Sequence, residues 1–179
     1  MSFDTLLLAM EVELHPSVVL QSGTWNLLIA PEEVMIPALN TFFSTMGHFL
    51  TLYICGNYSR VLSRIHRHHT YLDIRRSFTA FQLLRILEEA HQTFIFLEYD
   101  ATLFDEDDHL LENLPSAMRD ASQQAAVLIY APRQDRFLQE LSRSADRVFC
   151  LAPFPPAQRT RDFSRPREAS RRQTTLEAF

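Results

Sequence analysis

The chain contains no lysine: all 17 basic side chains among its 179 residues are arginine. That excludes Schiff-base chemistry and the phosphate-neutralising lysine of a nucleotide-binding P-loop. Glycine is nearly as scarce, with 3 residues, too few for the usual loop that brings backbone amides onto phosphate. Cysteine is limited to Cys55 and Cys150, each inside an apolar run, which argues against a disulfide-stapled scaffold. Both are expected to be reduced core residues of a cytosolic protein. No apolar run reaches the length of a membrane span, and the opening Met1-Ser2-Phe3-Asp4 does not read as a signal peptide. No internal repeat is visible.

What is present is enough for a folded core: hydrophobic residues make up 46% and aromatics 11% of the chain. Charge is distributed unevenly. Residues 1–151 hold 11 Arg against 19 Asp and Glu, net −8, whereas residues 152–179 hold 6 Arg against 3, net +3. An acidic body does not suit a folded surface that grips DNA, so direct DNA binding is expected to be weak or absent, with only the basic tail able to touch phosphate.

The order of patterns along the body is regular. Residues 11–20 alternate enough for a strand or hairpin, and residues 5–10 suggest a short helix. Apolar runs at 25–30, 49–55, 71–76, 93–98, 126–131 and 147–151 read as strands. Helical patterns occupy about 31–46, 59–68, 80–91, 107–123 and 134–143. Pro31 with Glu32 and Glu33 marks the start of the first, and Leu83, Leu84 and Leu87 mark the buried side of the third. Apolar strands alternating with amphipathic helices predict an α/β fold, a mainly parallel sheet covered by helices on both faces. Residues 152–172 carry four prolines among the tail's arginines and read as a flexible linker, leaving residues 173–179 as a separate short peptide.

Three stretches of the body resemble the ATPase core of the RecA recombinase superfamily, including its KaiC-like archaeal branch. Leu72-Asp73-Ile74-Arg75-Arg76-Ser77-Phe78-Thr79-Ala80-Phe81-Gln82 is similar to the strand and helix that precede Walker B. Phe94-Ile95-Phe96-Leu97-Glu98-Tyr99-Asp100 resembles Walker B itself, with Glu98 and Asp100 as its acids, and Val127 to Arg133 resembles the next core strand and its loop. The likeness spans about residues 20–151 and implies a RecA-like sheet. The catalytic element does not accompany it. At the place of G-x-x-x-x-G-K-[ST] stands Ala30-Pro31-Glu32-Glu33-Val34-Met35-Ile36-Pro37. Ala30 and Met35 replace the glycines, Ile36 the lysine and Pro37 the magnesium-binding hydroxyl, while two carboxylates face where phosphate would sit. The body therefore reads as a RecA-like domain without a functional P-loop. Other members of this superfamily in that condition, such as a bacterial cell-division inhibitor, act by binding proteins.

The final seven residues, Gln173-Thr174-Thr175-Leu176-Glu177-Ala178-Phe179, have the form Q-x-x-L-x-x-F. They resemble a PIP box, the peptide by which archaeal and eukaryotic replication and repair proteins dock on the sliding DNA clamp. Leu176 and Phe179, three residues apart, share one face of a helical turn that can enter an apolar groove, and Gln173 offers an amide to a polar pocket beside it. The family motif usually ends in two aromatics, and here a carboxylate stands in place of the second ring. The bland alternative is a chance string of the kind found inside ordinary helices.

The remaining candidates weigh toward structure. Glu98, Asp100, Asp105, Glu106, Asp107 and Asp108 form an acidic cluster that could bind Mg²⁺, but a vestigial Walker B followed by an acidic helix start, capped by Asp105 or Asp107, explains it more simply. His66, His68 and His69 lack a carboxylate or cysteine nearby in sequence and read as an exposed helix end. Ser116, Ser122 and Ser142 have no nucleophile-elbow setting. Arg75 with Arg76, and Arg133 with Arg136, offer themselves to a phosphate or acidic partner but equally solvate a surface. The expected function is a non-catalytic adaptor or regulator in DNA replication, recombination or repair, cytoplasmic and nucleoid-associated through the clamp. It uses no cofactor or metal. Its partners are the sliding clamp and a second protein, for which a recombinase or polymerase component is the candidate. The rival is a clamp-recruited metal-dependent nuclease or residual nucleotide-binding enzyme built on the acidic cluster after residues 93–98.

Overall fold

The central strands are apolar on both sides, so both sides must be covered, and the chain does this with two layers of different make-up. The computed structural model describes residues 10–45, 49–66, 71–103 and 108–151. An antiparallel hairpin comes first, β1 (Glu11–His15) and β2 (Val18–Gln21). Then follow β3 (Thr24–Ile29), α1 (Glu32–Thr45), β4 (Thr51–Cys55), β5 (Leu72–Arg76), α2 (Ala80–Glu88), β6 (Phe94–Glu98), α3 (Asp108–Ser122), β7 (Ala126–Ala131), α4 (Arg136–Leu141) and β8 (Arg147–Cys150). Six strands make one parallel sheet in the order β5-β4-β6-β7-β3-β8. The α/β fold expected from the alternating patterns is the one observed, and it agrees with a RecA-like arrangement.

The period-two alternation of strand side chains sorts the core into two layers. On one face Leu28, Tyr53, Phe94, Phe96, Leu128 and Tyr130 meet α1 through Met35, Leu39 and Phe42, and meet the hairpin through Val12, Leu14, Val18 and Leu20. Aromatic rings dominate here: Phe96 lies 5.0 Å from Tyr53 and 5.9 Å from Tyr130 between centroids, and Phe42 lies 5.0 Å from Phe94. On the other face Trp25, Leu27, Leu52, Ile54, Ile95, Leu97, Val127 and Ile129 pack against Leu83 and Leu87 of α2, Leu114 and Met118 of α3, and Leu138 and Leu141 of α4. Leu84, expected beside Leu83 and Leu87, is only half-buried at the rim of this layer.

Helix starts follow local chemistry. Thr79 caps α2 by accepting from the Gln82 amide, and Asp135 caps α4 by accepting from the Leu138 amide. α2 ends at Glu88, short of the expected 91, because the Glu89 and Ala90 amides close the helix on the carbonyls of Arg85 and Leu87. Similarly, α4 is shorter than the expected 134–143.

Two expectations are corrected. The segment expected as a helix over 59–68 is a set of turns as far as it is described, to residue 66; the Arg60 and Val61 amides donate to the Glu98 side chain of β6 and the Leu62 amide to the Ser59 hydroxyl oxygen. Cys55 is buried as expected, but Cys150 is exposed, since its strand β8 is the sheet's edge. The short helix expected at 5–10 falls mostly outside the described residues, as do 152–172 and 173–179.

Candidate functional site at the carboxyl ends of the strands

β3 passes its chain to α1 on one face, whereas its neighbour β7 passes to α4 on the other. In an open α/β sheet such a divergence opens a crevice beyond the strands' carboxyl ends, where ligands bind. A cavity of about 410 Å³ lies there, lined by Glu32, Tyr58, Arg60, Glu98, Asp100, Tyr130 and Arg133 among others. It takes in Glu98 and Asp100 at the end of β6 and Glu32 at the start of α1.

Glu98, the last residue of β6, is buried, and its carboxylate accepts from four groups among the described residues. The Tyr53 hydroxyl donates at 2.6 Å, the Ser59 hydroxyl donates to the same oxygen, and the backbone amides of Arg60 and Val61 donate at 2.9 and 3.3 Å to the other. The Ser59 oxygen in turn accepts from the Leu62 amide at 2.8 Å. Glu98 is thus an internal clasp between β6, β4 and the loop after β4. The cost of burying a carboxylate is offset by charge-assisted bonds to every donor around it. Burial first, then the Glu98 charge and hydrogen bond, push the Tyr53 phenol upward, so it stays a neutral donor.

Asp100 serves another local purpose. One carboxylate oxygen accepts from the Thr102 amide and hydroxyl at 3.1 and 2.8 Å, which fixes the single 3₁₀ turn at 101–103. Its other oxygen rests against Gly56, where a β-carbon would come within 2.1 Å of it. Gly56 is therefore glycine for close approach.

The chain leaves β3 and enters α1 at once, with the Val34 and Met35 amides already bonded to the Pro31 carbonyl. No loop is left to wrap an anion. Glu32, in the first turn, meets Arg64 at 3.0 Å and Arg60 at 3.9 Å, so carboxylate–guanidinium pairs stand beside the mouth. Tyr130 points its hydroxyl into buried space, without a partner among the described residues; burial, then Glu32 and Glu98, push its phenol upward. Cys55 is pushed up to about 11 by burial and then by Glu98.

The structure places Glu98 and Asp100 together in the lining of one cavity. Arg133 lines the same cavity, while Arg75 and Arg76 lie on the sheet's far edge strand, β5. His66 is exposed, its amide donating to Asn40 Oδ1 at 2.8 Å. His68, His69, Asp105, Glu106, Asp107, Gln173, Leu176 and Phe179 lie outside the described residues, as does the side chain of Asp108. Among the described residues no group of His, Cys, Asp and Glu gathers to hold a metal ion, and no helix is long and apolar enough to cross a membrane. Tyr53, Ser59, Gly56 and Tyr130 escaped sequence reasoning. Of these, Gly56 alone left a signal: it is one of only three glycines in the chain, and it follows the end of a buried strand.

No family model matches the chain. It is 36% identical over 130 residues, 72% of its length, to an uncharacterized protein of the archaeon Archaeoglobus fulgidus, and it spans 65% of that relative's length.

Two outcomes follow from the clasp. Glu98→Gln replaces an acceptor oxygen with an NH₂ that faces donors, so folding stability should fall by about 3 kcal/mol, within the range for leaving buried donors unpaired; urea unfolding measures this. Cys55 should resist a thiol reagent at pH 8 while Cys150 reacts at once. Because the Cys55 thiol lies at about 11 in the fold against an ordinary 9.0, its contribution to stability is complete below pH 9 and is lost as pH rises toward 11. Stability measured from pH 8 to 11 should therefore decline, and Cys55→Ser should flatten part of that decline.

Proposed function

We propose that this protein is a non-catalytic adaptor or regulator in DNA replication, recombination or repair, docked on the sliding clamp through Gln173, Leu176 and Phe179. The observation that carries the non-catalytic half is the engagement of Glu98. A carboxylate that must activate water or hold Mg²⁺ needs a free oxygen facing substrate, whereas both oxygens of Glu98 accept from the protein's own donors. The absence of a phosphate-wrapping loop before α1 and the Glu32 carboxylate at the cavity mouth support the same reading. They weigh against the rival nuclease or nucleotide-binding enzyme. The clamp half rests on the resemblance of the terminal peptide. The acidic body favours protein rather than DNA as the second partner.

Calorimetry of the full chain with ATP and Mg²⁺ should show no binding at sub-millimolar ligand, and a micromolar isotherm would revive the enzyme. For the clamp, a peptide spanning Arg167 to Phe179 should bind. Leu176→Ala or Phe179→Ala should each weaken it by roughly 2 kcal/mol or more, about thirtyfold, as expected of buried anchors. Gln173→Ala should cost on the order of 1 kcal/mol. Equal binding by the wild-type and Leu176→Ala/Phe179→Ala peptides would remove the clamp from the proposal.

A further inference from the structure

β5 is the edge of the sheet opposite β8, and β4 is its one strand neighbour among the described residues. Its backbone is arranged like a template. The Tyr71 carbonyl accepts from Thr51 and the Ser77 amide donates to the Cys55 carbonyl, so the odd-numbered residues face β4. By the alternation of a parallel ladder, Leu72, Ile74 and Arg76 turn their N–H and C=O groups outward. Natural sheets protect such an edge with proline, bulges or charged side chains. β5 has no proline and no bulge, and the charges among its side chains, Leu-Asp-Ile-Arg-Arg, are of both signs.

Those side chains are complementary to themselves. If a second copy approaches antiparallel about a two-fold axis through Ile74, the outward groups of Ile74 bond to those of its copy, and Leu72 bonds to Arg76. Asp73 then stands directly opposite Arg75 of the second copy, in a non-hydrogen-bonded pair where side chains come closest. Both lie on the α2 face: Arg75 reaches Glu89 at 3.3 Å and Asp73 accepts from Gln92 at 3.3 Å. On the opposite face the two Ile74 side chains, exposed in the single chain, meet each other. Beside the edge, Arg75, Phe78, Phe81, Arg85 and Ile86 border an open cavity of about 400 Å³, with Phe78 57% and Phe81 72% exposed. A two-fold axis perpendicular to the sheet keeps both α2 helices on one side of the junction, so these rings gain apolar cover and Arg85 and Glu89 of each copy face the other's. An unrelated peptide would have to supply this charge order itself, whereas a second copy has it already.

We propose that the chain forms a symmetric homodimer by antiparallel pairing of its β5 edges, doubling the six-stranded sheet. The test is light scattering and sedimentation of the full chain, which should give twice the 20.8 kDa chain mass at micromolar concentration. Asp73→Arg or Arg75→Asp alone places like charges opposite each other twice across the axis and should weaken association by about tenfold or more. Ile74→Pro should abolish it, since the lost amide is one that β4 does not use. Circular dichroism identifies any variant that fails to fold. Mixing is decisive: each charge-reversed chain is expected to be monomeric alone, yet Asp73→Arg mixed with Arg75→Asp restores both complementary pairs and should form a heterodimer. No repair within one chain produces that result. A monomeric wild type, a dimer indifferent to these changes, or two reversed chains that fail to associate on mixing would each overturn the proposal.

Discussion

The Glu98 carboxylate is the interaction on which the carboxyl end of this sheet depends. It lies where three segments converge: the end of β6, the Tyr53 side chain of β4, and the loop from Ser59 to Val61. Held there, the loop directs Val61, Leu62 and Ile65 into the aromatic layer under α1 and brings Arg60 and Arg64 to Glu32 at the start of α1. The surface ion pairs contribute little by themselves, because both arginines are largely exposed. Their geometry comes from the clasp, which is buried and fully bonded. Neutralising Glu98 leaves several donors unpaired at once, so the loop, the mouth and part of the core share one point of failure.

The clasp also explains what was legible in the sequence and what was not. Strands β3, β4, β6 and β7 were readable because each is apolar on both faces, a pattern that only a covered parallel sheet produces. The edge strand β5 was readable by its position between helical patterns, despite its charges. The segment after β4 was misread as a helix because Ser59, Arg60, Val61, Leu62 and Ile65 have helix-like spacing. That spacing does place apolar residues on one side, but the turns that carry them are tied to the sheet by a carboxylate 37 and 38 positions away. A contact of that kind has no local signature. Cys150 was misplaced for a related reason: an apolar run says that a strand exists, not whether a neighbour lies beyond it.

For the candidate site, the sequence identified the acids but not their employment. Glu98 and Asp100 read as a Walker-B-like pair, and they do stand together beside the cavity. Whether such acids serve a ligand or the fold depends on donors that come from elsewhere in the chain. Tyr53 is 45 positions from Glu98, and Gly56 matters only because Asp100 leans on it. That no phosphate-wrapping loop follows β3 was legible, since a loop that needs glycine and lysine cannot be built from Ala30-Pro31-Glu32-Glu33.

A site that has turned its carboxylate inward changes what the rest of the molecule can offer. The ligand crevice of an α/β sheet is usually its most constrained region, held open for a substrate. Here the Glu98 carboxylate at its wall is taken up by the protein's own donors, and in the proposed reading recognition falls instead to the β5 edge and the terminal peptide. These two features reinforce each other in the proposed reading. Pairing at β5 puts two copies of the peptide on one particle, and a second peptide binds a multi-subunit target at the effective concentration set by its linker rather than at bulk concentration. In the proposed reading the logic runs from Glu98 outward: with that carboxylate satisfied inside the fold, binding is left to the edge and the tail.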